Sequence, residues 1–236
     1  PNDVFQLHER CQTSGRLMKK TITFPPMELS KIANKLKKRL QQNLPGKEIQ
    51  RRMLVKMNEP FNFKNTEKDA IQSAVLILLF EENGDICFTL TKRTQKVEHH
   101  RGQISLPGGA KESDESLSST AIRETQEEIG IHADDVDLIG ALSPLFVPVT
   151  GFIIKPFVGI INANFDPQPA PEEVETVFSV PVNELLNDDN ELLEKKNLRG
   201  YYVNIPYFLL SGHKVWGATA MILSEFKTVL KEVMDA

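Results

Sequence analysis

The chain has 236 residues, 40% of them hydrophobic and 25% charged, the balance of a folded protein with a buried core. Its formal net charge of −4 argues against a general attraction to nucleic acid or to an anionic membrane, so any anionic ligand must be met by local groups or metal ions. The longest apolar run, AVLILLF at 74–80, is too short to span a bilayer.

Two cysteines, Cys11 and Cys87, make neither a disulfide framework nor a zinc spacing. With no recognisable signal peptide or C-terminal tag, the expected compartment is the reducing cytoplasm.

In chain order, residues 1–26 show no period and read as a tail. From Met27 to Leu44, apolar residues at Leu29, Ile32, Ala33, Leu36, Leu40 and Leu44 form one stripe at helical spacing, ended by Pro45-Gly46. This helical extension, 27–65, precedes a main domain at 66–236. There, SAVLILLF and ICFTLT read as two strands joined by a hairpin at Asn83-Gly84. Further strands are expected at 136–143, 151–161 and 174–180, a short helix at 183, and a last hairpin through Ser211-Gly212. A closing helix carries Ala218, Met221, Ile222, Phe226, Val229, Leu230 and Val233 on its apolar side. Strands and helices interleave without regular βαβ alternation, which predicts a mixed sheet flanked by helices. Trp216, the single tryptophan, is expected in the core.

The chemistry concentrates at 109–131, GAKESDESLSSTAIRETQEEIGI. At about 100° per residue, Glu124, Glu127 and Glu128 share one edge of a helix. Leu117, Ala121, Thr125 and Ile129 form the adjacent buried stripe. Three like charges so close either face water or hold something positive. Hard divalent cations want oxygen ligands, and no His or Cys lies in the cluster, so magnesium or manganese fits better than zinc. Gly108 and Gly109 allow close backbone approach, and Gly130 suits a left-handed helix cap. Glu115, eight residues before Arg123, can reach back to pair with it and brace the loop on the helix.

Solvation accounts for the acids but not for two glycines, a glutamate and an arginine in register with them. The pattern resembles the Nudix box, Gly-x5-Glu-x7-Arg-Glu-U-x-Glu-Glu-x-Gly-U with U bulky and apolar, at Gly109, Glu115, Arg123, Glu124, Glu127, Glu128, Gly130 and Ile131. Thr125 departs from the first U. The resemblance implies a Nudix α/β/α sandwich with a mixed sheet, acting as a pyrophosphohydrolase on a nucleoside diphosphate derivative. It makes Glu124, Glu127 and Glu128 catalytic metal ligands, the Gly109 carbonyl a further ligand, and Glu127 the candidate to assist the attacking water.

Upstream, LTKRTQKVEHHRGQISLPGG at 90–109 is similar to the signature of the coenzyme A pyrophosphatase branch, with Leu90, Thr91, Arg93, Gly102, Pro107, Gly108 and Gly109 in register. Thr89, Thr94, Glu98 and Leu106 depart from it, and Glu98 reverses a charge that His99, His100 or Arg101 can replace. This resemblance implies coenzyme A or acyl-coenzyme A as substrate. Arg93, Arg101, Gly108 and Gly109 would bind it, and Lys92 and Lys111 lie nearby in sequence. Glu172 and Glu173 either approach the metals from a facing loop or form a solvated acid loop. Other nucleotide substrates (ADP-ribose, NADH, a damaged nucleotide) and a non-catalytic ligand-sensing module remain open alternatives. A homodimer is allowed by analogy, with the 27–44 stripe as a surface.

Overall fold

The computed structural model describes residues 28–57, 64–94, 102–161, 165–198 and 201–235, so the tail at 1–26, with Cys11, lies outside the described residues. The first helix, α1 (Leu29–Leu40), buries the expected stripe of Leu29, Ile32, Ala33, Leu36 and Leu40. It ends four residues earlier than the periodicity suggests. Gln42 N–H turns back to the Arg39 carbonyl at 3.1 Å, and Pro45 disfavours helical backbone at the residue before it. The stripe packs within the chain on the closing helix and the sheet, so it is not left over for a second copy.

A short helix α2 (Lys47–Gln50), a tight turn at Arg51–Met53 and the brief strand β1 (Lys56–Met57) follow. β2 (Ile71–Glu82) and β3 (Asp85–Arg93) form the first hairpin, and its turn has positive φ at both Asn83 (52°) and Gly84 (85°). That geometry matches the right-handed twist of the strands. β4 (Ile104–Ser105) and β5 (Gly108–Ala110) lead into α3 (Leu117–Ile129), which carries the box. β6 (Val136–Ala141), β7 (Leu145–Val147), β8 (Phe152–Ile161) and β9 (Val174–Pro181) complete the main sheet. The expected strand at 136–143 thus stops at Ala141, and a separate strand resumes at Leu145.

Among the described residues this sheet has eight strands, ordered β4-β3-β2-β8-β6, with β5 on β2, β7 on β8 and β9 on β3. β2 and β8 run parallel and the other pairs antiparallel, giving the predicted mixed sheet. β2 is buried on both faces, which explains its unbroken apolar run. Ala74, Leu76, Leu78 and Phe80 pack toward Ala121 and Ile129 of α3. Ile77 and Leu79 pack on the other side with Leu36 of α1 and with Phe226 and Leu230 of the closing helix. Helices therefore cover both faces, the α/β/α arrangement expected.

The remainder holds the main difference from expectation. After α4 (Val182–Leu186), the stretch ELLEKKNL forms a strand, β10 (Glu191–Leu198), followed by β11 (Tyr201–Leu210) and β12 (His213–Trp216). With β1 these build a second, antiparallel sheet ordered β1-β11-β10, with β12 on β11. Trp216 is 39% exposed and is not core. It stands opposite Tyr207, on the sheet face away from the buried Phe208 and Val215.

α5 (Gly217–Asp235) closes the chain and is buried around much of its circumference. Its fully buried Glu225 accepts from Gly46 N–H (3.0 Å) and Gln50 Nε2 (2.8 Å), tying the segment after α1 to the main core.

Candidate active site

The site is built where β5 meets α3. Ser116 caps α3 by accepting Ser119 N–H at 3.1 Å, and Gly130 ends it in the left-handed conformation at φ 72°. Ala121, Thr125 and Ile129 are fully buried against the sheet, with Leu117 packed at their edge. Thr125 keeps its place in the stripe because its hydroxyl donates to the Ala121 carbonyl at 2.7 Å, so no polar group is left unsatisfied.

This packing turns the acidic edge toward the β5 loop. There Arg123 acts as a hub. Its Nε and Nη2 donate to Glu115 at 3.1 and 2.9 Å, and Nη2 also reaches the Ala110 carbonyl at 3.2 Å. The predicted brace between Glu115 and Arg123 is therefore present. Glu115 accepts further from Glu112 N–H (2.9 Å) and Thr120 Oγ1 (2.8 Å). The Arg123 hydrogen bonds are the chief reason that its carboxyl is held down at about 2.

Nη1 of Arg123 contacts both Glu124 Oε1 (3.0 Å) and Glu127 Oε2 (2.8 Å). Two box carboxylates thus gather around one positive nitrogen. Glu127 is 57% exposed, at the rim. Glu124 is tucked inward, and burial raises its carboxyl pKa. Its carboxylate lies against Gly109. A Cβ built on that glycine would fall 2.5–2.6 Å from all three carboxylate atoms, so the glycine makes room for the acid.

Glu128 is 2% exposed. Its Oε1 meets Arg93 Nη1 at 3.2 Å and its Oε2 accepts Gly108 N–H at 3.2 Å. Burial dominates over these two partners and pushes its carboxyl up to about 7. Gly108 itself has φ 148°, and a Cβ there would fall 2.2 Å from the Ala74 carbonyl oxygen. β5 can approach β2 this closely only with glycine at that position.

Among the described residues, no three acids close around a single point as a ready-made metal site. Glu124 and Glu127 converge on Arg123, and Glu128 lies with Arg93. The donor set nonetheless fits a hard divalent cation: all oxygen, partly sheltered, beside a backbone that offers no side-chain bulk. As the side chains stand, guanidinium groups hold those oxygens.

The upstream and facing segments meet here too. Arg93 Nη2 lies 3.8 Å from Glu173, so that acid does approach the box from the loop before β9. The pairing of Arg93 with Glu128 had no signal in the sequence, because 35 residues separate the two. Lys92 turns away to Glu175 at 2.5 Å, as strand alternation required. Lys111 donates to the carbonyls of Glu112 (3.1 Å) and Ser113 (3.3 Å) within its own loop. Glu98, His99, His100 and Arg101 lie outside the described residues. Among those described, no helix is long and apolar enough to cross a membrane.

Comparison with known proteins places this geometry. Residues 70–201 match the NUDIX domain family. The chain is 40% identical over 169 residues to Nudix hydrolase 15, mitochondrial, of Arabidopsis thaliana, covering 68% of this chain and 59% of that one. It is 38% identical over 157 residues to the uncharacterized Nudix hydrolase NudL of Enterobacter sp. (strain 638), covering 65% and 80%. It is 33% identical over 156 residues to the mitochondrial coenzyme A diphosphatase NUDT8 of Homo sapiens, covering 64% and 65%. The chain spans somewhat over half the length of the Arabidopsis relatives it matches. On the match across 70–201, with the mixed sheet between helices and the box helix beside β5, this chain belongs to the Nudix family.

Proposed function

We propose that the chain hydrolyses the diphosphate bond of coenzyme A or its thioesters, giving adenosine 3′,5′-bisphosphate and 4′-phosphopantetheine or its acyl form. Nudix hydrolases use divalent metal ions, and the cation proposed here is Mg²⁺ or Mn²⁺, held by Glu124, Glu127 and Glu128 with the Gly109 carbonyl. When bound, such a cation supplies positive charge against the diphosphate oxygens and eases deprotonation of water.

The observation that carries the reading is the contact between Arg93 and Glu128. Arg93 belongs to the stretch similar to the coenzyme A signature, and Glu128 to the box. Folding delivers one to the other across the β3–α3 junction. A guanidinium there presents a planar fork for a phosphate oxygen pair. Glu173 lies 3.8 Å from its other terminal nitrogen.

The chain's own groups divide the work. Glu115 and Arg123 fix the loop on the helix. Gly108 N–H and burial hold Glu128 in place. Glu127, the most exposed of the three box acids, would take a proton from water. The relative named a coenzyme A diphosphatase supports the same substrate class.

Mass-resolved products from coenzyme A, dephospho-coenzyme A, ADP-ribose and NADH, each with magnesium or manganese, test the proposal. Coenzyme A is expected to be cleaved fastest, with the two named products. Equal cleavage of dephospho-coenzyme A and ADP-ribose would remove the substrate claim while leaving a Nudix hydrolase.

A further inference from the structure

The second sheet ends in an unusual edge. β10 pairs with β11 along all eight of its residues, yet among the described residues no strand pairs with its outer side. In an antiparallel sheet every second residue of an edge strand turns its N–H and C=O outward, a template for another strand. β10 has no proline and no register shift to blunt it. Leu192 and Leu193, which alternate to opposite faces, are also 36% and 59% exposed. Natural edges are protected by charge, proline, bulges or a covering element, and among the described residues β10 relies on its charged residues alone.

We propose that the outer edge of β10 is a self-association surface. Two copies would pair antiparallel about a two-fold axis at Leu193, with Glu191 of each copy opposite Lys195 of the other.

The register follows from geometry and charge. Directly opposite residues in an antiparallel ladder either both point their backbone groups at each other or both point them away. When two identical edges meet, the two-fold axis must therefore pass through a residue, not between two. An axis at Glu194 sets two glutamates face to face, and an axis at Lys195 sets two lysines face to face. An axis at Leu193 puts leucine on leucine at the centre and a Glu191–Lys195 pair on either side. Leu192 then lies diagonal to its own copy on the opposite face.

Lysine in an edge strand ordinarily repels a second strand. Here Lys195 meets an acid instead, and the interface is isologous, as a closed dimer requires. A strand-edge contact buries little surface, so the association is of the weak, micromolar kind. It is independent of the substrate proposal.

Sedimentation equilibrium of the chain up to high micromolar concentration is expected to show a monomer–dimer equilibrium. Lys195→Glu should raise the dissociation constant at least roughly tenfold, because both cross-pairs become repulsive. The double substitution Glu191→Lys with Lys195→Glu should restore it. Leu193→Cys in a Cys11→Ser background should form a covalent dimer on mild oxidation, since the axis brings residue 193 against itself, whereas Tyr202→Cys should not. Glu191, Leu193, Lys195 and Tyr202 are exposed, and circular dichroism is to check that the variants fold. A monomer throughout the range overturns the proposal, as does a dimer that ignores Lys195→Glu and does not cross-link through position 193.

Discussion

Replacing Glu128 with glutamine tests the electrostatics of the site apart from catalysis. In the metal-free protein, burial raises the Glu128 carboxyl from its ordinary 4.5 to about 7, despite the opposing pull of Arg93 and Gly108 N–H. The folded chain therefore holds this proton more tightly than the unfolded chain does. Its contribution to stability is fully present below pH 4.5 and is lost as pH rises through about 7. At about 1.36 kcal/mol per pH unit, the loss amounts to roughly 3 kcal/mol.

Glutamine is neutral at every pH and nearly isosteric, and its carbonyl can still accept from Gly108. Glu128→Gln should stay within about 1 kcal/mol of the wild type near pH 5 and exceed it by roughly 3 kcal/mol near pH 8.5, several degrees in Tm for a chain of this size. Urea and thermal unfolding in a chelator at the two pH values measure this directly. Turnover of the same variant with magnesium should be nearly abolished. Parallel stability profiles for the two proteins from pH 5 to 8.5 would refute the argument that burial dominates at Glu128.

Three other expectations follow from specific contacts. Gly109→Ala puts a methyl 2.5 Å from the Glu124 carboxylate, whose flexible end must swing away; melting should change little, while turnover falls by at least about tenfold, as a displaced reacting group commonly costs. Gly108→Ala meets the Ala74 backbone oxygen at 2.2 Å and has no easy escape, so thermal melts should show a loss of at least about 2 kcal/mol. Glu225→Ala strands the buried donors of Gly46 and Gln50 far from the site, with an expected loss of roughly 3–5 kcal/mol in urea unfolding and an unchanged KM for the surviving folded fraction.

What the sequence made legible was local. The Asn83-Gly84 and Ser211-Gly212 turns, the Gly130 end of α3 and the stripe of α1 all depend on neighbours a few residues apart. The reach of Glu115 to Arg123 was legible for the same reason: both belong to one turn-and-helix unit. β10 was not, because ELLEKKNL has neither strand alternation nor helical period, and its partner β11 alone makes it a strand. Trp216 sits in an apolar stretch that looks like core. Its exposure follows from its place at the end of β12, opposite Tyr207 and on the face away from the buried Phe208 and Val215. The contact of Arg93 with Glu128 depends on β3, β5 and α3 meeting in space, which no spacing in the chain encodes.

The claim on which the functional reading rests is that the box oxygens take up divalent cations once Arg123 and Arg93 release them. Titration of Mn²⁺ followed by electron paramagnetic resonance, without substrate, addresses it most directly. The wild type should bind manganese saturably, the variant carrying Glu124→Gln and Glu128→Gln should lose that binding, and a distant surface control, Glu67→Gln, should keep it. Indistinguishable isotherms for the wild type and the double variant would contradict the account.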